Sequence, residues 1–271
     1  MDNGLELNDF INDYLLRERG PNSLRSEVVS VTAVGTLADE RLADVPMLNE
    51  LEKRGLRVEK LGAFSDLQSL AESKVWSLAF VLSPYKAAAV KLCATVSPKV
   101  RRVGAVDTLI REGREITGFN VNSFAIDRAL QQLTSAPTPT HVLILGSGPV
   151  AACALVGVSA ILPNAKVGIL ARSRQHAMNL ASRLGIGIPV ENGTDFNPTL
   201  VVHGTTVGER DDADTFQFDL GNVFRPGVRL LDANSRLSPL QQSALKAGCL
   251  VLGGTYIQYL SNQLRIALMS Q

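Results

Sequence analysis

The sequence predicts an α/β protein built from two domains. The chain has 271 residues, which is long enough for two ordinary domains. Apolar strand-like runs alternate with helical patterns along most of it, as in α/β folds. One apolar run, 141–145, leads directly into the glycine-containing segment Gly146-Ser147-Gly148-Pro149-Val150. A strand that ends in a glycine turn and opens a helix is the start of a βαβ unit.

The sequence of the N-terminal half predicts a first layer of alternating helices and strands. Apolar residues at helical spacing predict an amphipathic helix near the N-terminus: Leu7, Phe10, Ile11, Tyr14 and Leu15. The elements predicted next are strand 28–34, helix 40–54, strand 57–61, helix 66–73 and strand 77–82. A helix over 122–133 then connects to the second domain.

In the second half of the sequence, strands and helices are again predicted to alternate. Its expected elements are helix 150–162, strand 166–170, strand 200–203, strand 249–252 and a last helix over 255–269. We place the first domain at residues 1–122 and the second at 123–253, with 254–271 packing back on the first.

The glycine turn predicts a dinucleotide site. Glycines let the backbone approach a pyrophosphate, whose charge lies on the unpaired N–H groups of the helix N-terminus. We expect the pyrophosphate to be held by Gly146, Ser147, Gly148, Pro149 and Val150. The pattern alone is weak, but the helix and strand that follow it strengthen the prediction.

The end of the second strand of this unit indicates which dinucleotide is bound. An NAD site usually has an acidic residue there, whereas arginines and a hydroxyl accommodate a 2′-phosphate. Here the segment is Ala171-Arg172-Ser173-Arg174, so NADP is favoured. The alternative is that the two arginines only solvate the start of a helix.

Composition argues against several classes of function. Lys plus Arg number 27 and Asp plus Glu number 26, so no basic surplus exists to coat a nucleic acid, and we expect no nucleic-acid partner. No apolar stretch reaches the roughly 20 residues of a membrane helix, and the N-terminus does not resemble a secretory signal. We therefore expect a cytoplasmic protein with no membrane partner. The scattered cysteines and histidines predict reduced core thiols and no metal site.

Five motifs occur in a characteristic order. They are Ser83-Pro84-Tyr85-Lys86, Gly104-Ala105-Val106-Asp107-Thr108-Leu109, Gly118-Phe119-Asn120-Val121-Asn122, Ala171-Arg172-Ser173 and His203-Gly204-Thr205-Thr206-Val207-Gly208. Together with the glycine turn, the series resembles the shikimate dehydrogenase family, whose motifs are T-x-P-x-K, G-A-x-N-T-L, G-x-N-T-D, N-R-T and N-A-T-S-x-G. The resemblance covers roughly residues 28 to 263.

The resemblance implies an N-terminal α/β substrate domain and an NADP-binding Rossmann domain, with a cleft between them. It also implies hydride transfer between the nicotinamide and a ring carbon that bears a hydroxyl or ketone. Thr205 and Thr206 would flank the nicotinamide, and Gly253 would lie under it.

The chain departs from the family at its chemical centre. The family pairs a catalytic lysine, matched here by Lys86, with an aspartate whose place is taken by Asn122. An amide cannot take up a proton. Conversely, Asp107 stands where the family has an asparagine that hydrogen-bonds substrate hydroxyls. Our hypothesis is that Asp107 partners Lys86 instead, so Lys86, Asp107 and Asn122 are the catalytic candidates.

The substrate contacts depart as well. The family holds the substrate carboxylate with a Ser-x-Ser pair shortly after the first strand, and this chain has no such pair near Thr36. Arg41 is a candidate replacement cation, although a charged helix residue more often faces solvent. Thr36, Tyr256 and Gln258 are candidate substrate contacts, and for Tyr256 and Gln258 a helix packing face is an equal alternative.

These observations support an NADP-dependent oxidoreductase that acts on a small shikimate-like cyclic polyol or keto compound, as a monomer or homodimer. The alternative is a non-catalytic NADP- or ligand-binding relative that lost the catalytic acid. Asn122 favours that alternative and the retained Lys86 speaks against it. An unrelated α/β binding protein is the third hypothesis, which the ordered motifs disfavour.

Overall fold

The computed structural model describes residues 4–18, 27–43, 46–134, 137–208 and 218–270. The chain forms two compact units. The first comprises the described residues of Met1–Phe124 and Ser261–Gln271, and the second comprises those of Ala125–Leu260. The domain boundaries expected from the sequence, 122/123 and 253/254, stay predictions, because compactness alone does not define a domain that folds by itself.

The α-helices are α1 (Gly4–Glu18), α2 (Ala38–Ala43), α3 (Pro46–Lys53), α4 (Leu67–Glu72), α5 (Pro98–Val103), α6 (Val121–Leu133), α7 (Pro149–Ile161), α8 (Arg174–Leu184), α9 (Pro239–Lys246) and α10 (Gly254–Ser270). The strands are β1 (Val28–Val34), β2 (Arg57–Lys60), β3 (Leu78–Val81), β4 (Thr95–Val96), β5 (Thr108–Glu112), β6 (Glu115–Phe119), β7 (His141–Leu145), β8 (Lys166–Leu170), β9 (Ile188–Pro189), β10 (Leu200–His203), β11 (Arg229–Asp232) and β12 (Leu250–Leu252). A 3₁₀-helix covers Ala88–Leu92.

The first unit contains a mixed sheet in the order β2-β1-β3-β5-β6-β4. β1 is parallel to both β2 and β3 and is buried after its first residue, as expected for a central strand. β5 is antiparallel to β3 and to β6, with which it forms a hairpin. Because β5 runs antiparallel to β3, it starts at the end of the sheet where β1 and β3 finish.

The second unit contains a fully parallel sheet in the order β12-β11-β10-β7-β8-β9. Numbered within this unit, the order is 6-5-4-1-2-3, the arrangement of dinucleotide-binding Rossmann folds. Strand β10 is buried throughout, and so is β7 after its first residue, because neighbours flank them on both sides. The two-domain α/β class with a Rossmann domain predicted from the sequence is confirmed.

The helix expected over 40–54 is covered by α2 and α3, which lie on either side of residues 44–45, and those two residues fall outside the described part of the chain. The ends predicted for the helix over 66–73 coincide with the caps of α4, where Asp66 accepts a hydrogen bond from the Ser69 N–H.

Five strands were not predicted: β4, β5, β6, β9 and β11. β4 and β9 have two residues each, too short for any periodicity to show. In the part of the chain that the structure describes, no helix combines the length and the apolar character needed to cross a membrane.

Candidate active site

The predicted catalytic residues meet at one edge of the first sheet. Lys86 follows β3, Asp107 immediately precedes β5, and Asn122 follows β6. Phe80 near the end of β3 pairs with Thr108 at the start of β5, and Thr108 in turn pairs with the last residue of β6. Ligands of α/β sheets bind at the carboxyl ends of parallel strands, and this edge is the carboxyl end of β1 and β3.

Backbone hydrogen bonds join the loops at this edge. The Val106 N–H donates to the carbonyl of Lys86 at 2.8 Å, and the Asp107 N–H donates to the carbonyl of Phe119 at 3.1 Å. On the β1 side, the Thr36 N–H donates to the carbonyl of Ser83 at 2.8 Å. The motifs that the sequence spreads over 87 positions, from 36 to 122, are therefore held together by main-chain contacts.

The Asp107 carboxylate is buried, and it holds the start of helix α6. Its Oδ1 accepts from the Val121 N–H at 2.9 Å, and its Oδ2 accepts from the Asn122 N–H at 2.8 Å. Oδ1 also accepts from the hydroxyl of Thr108 at 2.9 Å. These N–H groups belong to the first turn of α6 and have no partner within the helix. Asp107 thus acts as a helix cap contributed by a distant strand.

This arrangement gives no direct contact in support of the hypothesis that Asp107 partners Lys86, which stays a prediction. Within the described residues no ion pair joins the two, because both carboxylate oxygens face the N-terminus of α6. Lys86 is half-buried, and its ammonium group has no hydrogen-bond partner among the described residues.

Asn122 stands in the first turn of α6 and contacts α10. Its Oδ1 accepts from the hydroxyl of Ser261 at 3.3 Å. The Nδ2 group makes no hydrogen bond with a described residue and is not among the fully buried orphaned atoms. Asn122 therefore presents a free amide N–H donor where the family has an acid.

A residue that the sequence did not single out, Arg265, lies one turn beyond Ser261 on α10. Its Nε donates to the hydroxyl of Thr108 at 3.0 Å, and its Nη1 donates to Oδ1 of Asn262 at 3.0 Å. The guanidinium also lies over the ring of Phe80, 4.7 Å from the centroid. The signal in the sequence was a lone arginine within an apolar helical run, QLRIALM.

In the second unit, the glycine turn after β7 depends on two glycines. Gly146 has φ of +107°, and a Cβ there would lie 2.5 Å from Cγ2 of Thr205. A Cβ on Gly204 would lie 2.9 Å from the backbone nitrogen of Ala151. Only glycine fits both positions, which lets the ends of β7 and β10 approach the start of α7.

The start of α7 suits a pyrophosphate. Gly148 is the N-cap of α7 and supplies no side-chain cap, so the first-turn N–H groups of the helix are left for a ligand. A Cβ on Gly148 would meet nothing within 4 Å, which shows open space where a phosphate would lie. Ser147, Pro149 and Val150 are half-buried around it. The donor set and the space fit a dinucleotide.

The residues expected to bind the 2′-phosphate lie at the end of β8. Arg172 is exposed, and Ser173 is the N-cap of α8, where its hydroxyl accepts from the His176 N–H. Arg174 forms an exposed ion pair with Glu191. A carboxylate thus competes with a phosphate for Arg174.

A buried polar network holds the loop after β10, and the sequence did not reveal it. His203 Nδ1 lies 3.0 Å from Oδ1 of Asp232, and His203 Nε2 lies 2.7 Å from the hydroxyl of Thr205. Because a carboxylate only accepts, Nδ1 carries a hydrogen and donates it to Asp232. The Asp232 carboxylate also accepts from Ser238 at 2.6 Å. The network fixes Thr205 in one orientation.

The remaining candidates occupy varied surroundings. Thr36 and Thr206 are exposed, whereas Gly253 is half-buried with the Gln241 side chain 3.2 Å from where its Cβ would be. Tyr256 stacks on Tyr259, with ring centroids 6.5 Å apart. The other candidate on α10, Gln258, is half-buried. None of the described residues form a cluster of three or more potential metal ligands.

Comparison with known proteins identifies the relatives of this chain. No protein-family model matches it. It is 33% identical over 205 residues to an NADP(+) shikimate dehydrogenase from Anaeromyxobacter sp., covering 69% of each chain.

Two solved structures share its fold. The shikimate dehydrogenase of Aquifex aeolicus matches with a TM-score of 0.74 and 18% identity, over 89% of this chain and 91% of that one. The enzyme of Thermus thermophilus in complex with NADP(H) and shikimate matches with a TM-score of 0.73 and 21% identity, over 89% and 92%. At these identities the structures establish the fold, and the Anaeromyxobacter relative establishes the lineage: the chain belongs to the shikimate dehydrogenase family.

Proposed function

We propose that this protein is an NADP-dependent oxidoreductase that interconverts a ketone and a secondary alcohol on a small cyclic polyol or keto compound. The observation that carries the proposal is the half-buried Lys86, whose ammonium has no partner among the described residues, at the same sheet edge as Asn122. The NADP(+) shikimate dehydrogenase at 33% identity supports the same reaction class.

The cofactor would be held by the second unit. The N–H groups at the start of α7 would bind the pyrophosphate beside Gly148, and Arg172 would bind the 2′-phosphate. Bound NADP supplies a hydride acceptor or, when reduced, a hydride donor. The hydrogen bond to His203 would keep Thr205 in place on the nicotinamide side.

Lys86 and Asn122 would act on the reacting oxygen of the substrate. An ammonium and an amide N–H both donate hydrogen bonds, and neither accepts one. Two donors stabilise an oxygen that gains negative charge, which is what a ketone oxygen does when hydride reaches its carbon. Lys86 would then pass a proton to that oxygen. The same pair would serve the reverse reaction, in which Lys86 takes the proton back from the alcohol as hydride leaves its carbon.

Asp107 would be a positioning residue. It caps the first turn of α6, the turn that carries Asn122, and so orients the amide without touching the substrate. The exchange of acid and amide relative to the family then has a structural explanation, since the acid holds the helix and the amide faces the open side.

The test is an NADPH oxidation screen over dehydroshikimate, dehydroquinate, their amino analogues and other cyclic ketones, followed by Lys86→Met on the best substrate. We expect kcat to fall about 10²- to 10⁴-fold, the usual contribution of a general acid, while the Kd for NADP stays unchanged. The matched control is Lys91→Met, which removes an exposed lysine from the adjacent 3₁₀-helix and is expected to leave kcat intact.

Turnover of no compound in the screen by the unmodified protein, with NADP still bound, would reject the proposal in favour of a non-catalytic binding protein. An unchanged kcat in Lys86→Met would reject the role of Lys86.

A further inference from the structure

Arg265 is the charged group whose position the reaction described above does not explain. It lies on the C-terminal half of α10, between buried apolar neighbours that include Leu264 and Ile266. Burial lowers the pKa of the Arg265 guanidinium from its usual value. A cation placed among core residues is costly, so it is expected to have a purpose beyond packing.

The hydrogen bonds of Arg265 leave one side of the guanidinium open. Nε and Nη1 donate to Thr108 and Asn262, as described above. Nη2 makes no hydrogen bond with a described residue, and it is not among the fully buried atoms that lack a partner. Nη2 therefore keeps some exposure, and it is the atom of Arg265 from which a further hydrogen bond could be donated.

No carboxylate of the described residues forms an ion pair with Arg265. Asp107 attracts the guanidinium through space, but its oxygens are occupied by the N–H groups of α6, and Thr108 stands between the two side chains. Arg41 acts in the opposite sense, since its positive charge further disfavours the charged form of Arg265. The Asp107 carboxylate is thus turned toward α6 and not toward Arg265.

Arg265 lies on the same face of α10 as Ser261, the residue that contacts the catalytic candidate Asn122. Ser261, which hydrogen-bonds Asn122, lies four positions before Arg265, just over one helical turn or about 6 Å along the axis. A small ring with substituents on opposite sides can span that separation.

We propose that Arg265, supported by the charge of Arg41, binds a carboxylate of the substrate and so replaces the serine pair that this chain lacks. The inference rests on the proposed function, because the carboxylate belongs to the same molecule that is reduced. Arg265 is then a specificity-determining residue: guanidinium N–H groups recognise a carboxylate through charge-assisted hydrogen bonds.

The experiment measures binding, separately from turnover. The protein loaded with NADP⁺, which cannot reduce a ketone, is titrated calorimetrically with dehydroshikimate and with its carboxamide, which has the same ring and no charge. We expect the carboxylate to bind about 10- to 100-fold more tightly, as one or two charged hydrogen bonds contribute. Arg265→Met keeps an unbranched side chain over Phe80 and is expected to abolish that preference.

Three further variants keep the test decisive if Arg265→Met folds poorly. Arg265→Lys retains the charge without the guanidinium geometry and is expected to retain part of the preference. Arg41→Met is also expected to reduce the preference for the carboxylate, by a smaller factor than Arg265→Met. Arg54→Met, which removes a partly exposed arginine paired with Glu50, is expected to leave it unchanged.

Equal binding of the two probes by the unmodified protein, or a preference that survives in Arg265→Met, overturns the inference. The outcome is separable from that of the proposed function. Reduction of neutral cyclic ketones with no carboxylate preference would leave the oxidoreductase in place and remove the anchor. A carboxylate preference that depends on Arg265, without turnover of any compound, would support the anchor and reject the oxidoreductase.

Discussion

Replacing Asp107 by asparagine separates the structural role of this carboxylate from a catalytic one. The two oxygens accept from two different backbone N–H groups, at 2.9 and 2.8 Å. An asparagine has a single oxygen, so in either orientation its NH₂ group faces an N–H donor and one bond is lost. The lost bond leaves a buried helix N–H unpaired, and the surviving bond changes from charged to neutral.

The magnitude follows from these two losses. An unpaired buried polar group costs about 1–3 kcal/mol, and exchanging a charged acceptor for a neutral one costs about 1 kcal/mol. Solvent screening is small because Asp107 is only 2% exposed. We expect Asp107→Asn to lower the free energy of unfolding by about 2–4 kcal/mol.

The assay is urea unfolding followed by circular dichroism, in which the midpoint should fall while the slope m stays constant. Asp66→Asn is the matched control, because Asp66 caps α4 from a half-buried position and asparagine caps a helix as well as aspartate does. A loss below about 1 kcal/mol in Asp107→Asn would refute the capping argument. If turnover were abolished at unchanged stability, Asp107 would be a partner of the reaction instead.

Three further predictions concern the cofactor site and the half-buried thiol of Cys93. Gly148→Ala is expected to raise the Kd for NADP at nearly unchanged stability, because its Cβ would enter open space. Gly146→Ala is expected to destabilise the fold instead, because its Cβ would contact Thr205. Thermal unfolding and NADP titration distinguish the two effects. Arg172→Ala is expected to reduce the preference for NADP over NAD about tenfold or more, with Arg183→Ala as control, and equal titration curves for both dinucleotides in the unmodified protein would contradict it. Burial raises the pKa of the Cys93 thiol to about 11, so alkylation by iodoacetamide should be slow at pH 8 and accelerate as the pH rises toward that value; fast modification of Cys93 at pH 8 in the folded protein would show that the thiol is not buried.

The fold class and the strand, glycine turn and helix that begin the second unit were readable from the sequence because they depend on local patterns. A buried strand, a glycine turn and a helix follow one another within 141–161, and the physical demands of the turn are met by residues adjacent in the chain.

The polar contacts of the site were decided by tertiary structure. The sequence identified Lys86, Asp107 and Asn122 as candidates, but only the antiparallel pairing of β5 with β3 and β6 showed that the Asp107 carboxylate faces the N-terminus of α6. His203 and Asp232 are 29 residues apart, and Arg265 is 157 residues from Thr108, so no local pattern links either pair. Periodicity and turn chemistry act between chain neighbours, whereas the partner of a buried polar group is chosen by whatever strand or helix the fold brings beside it.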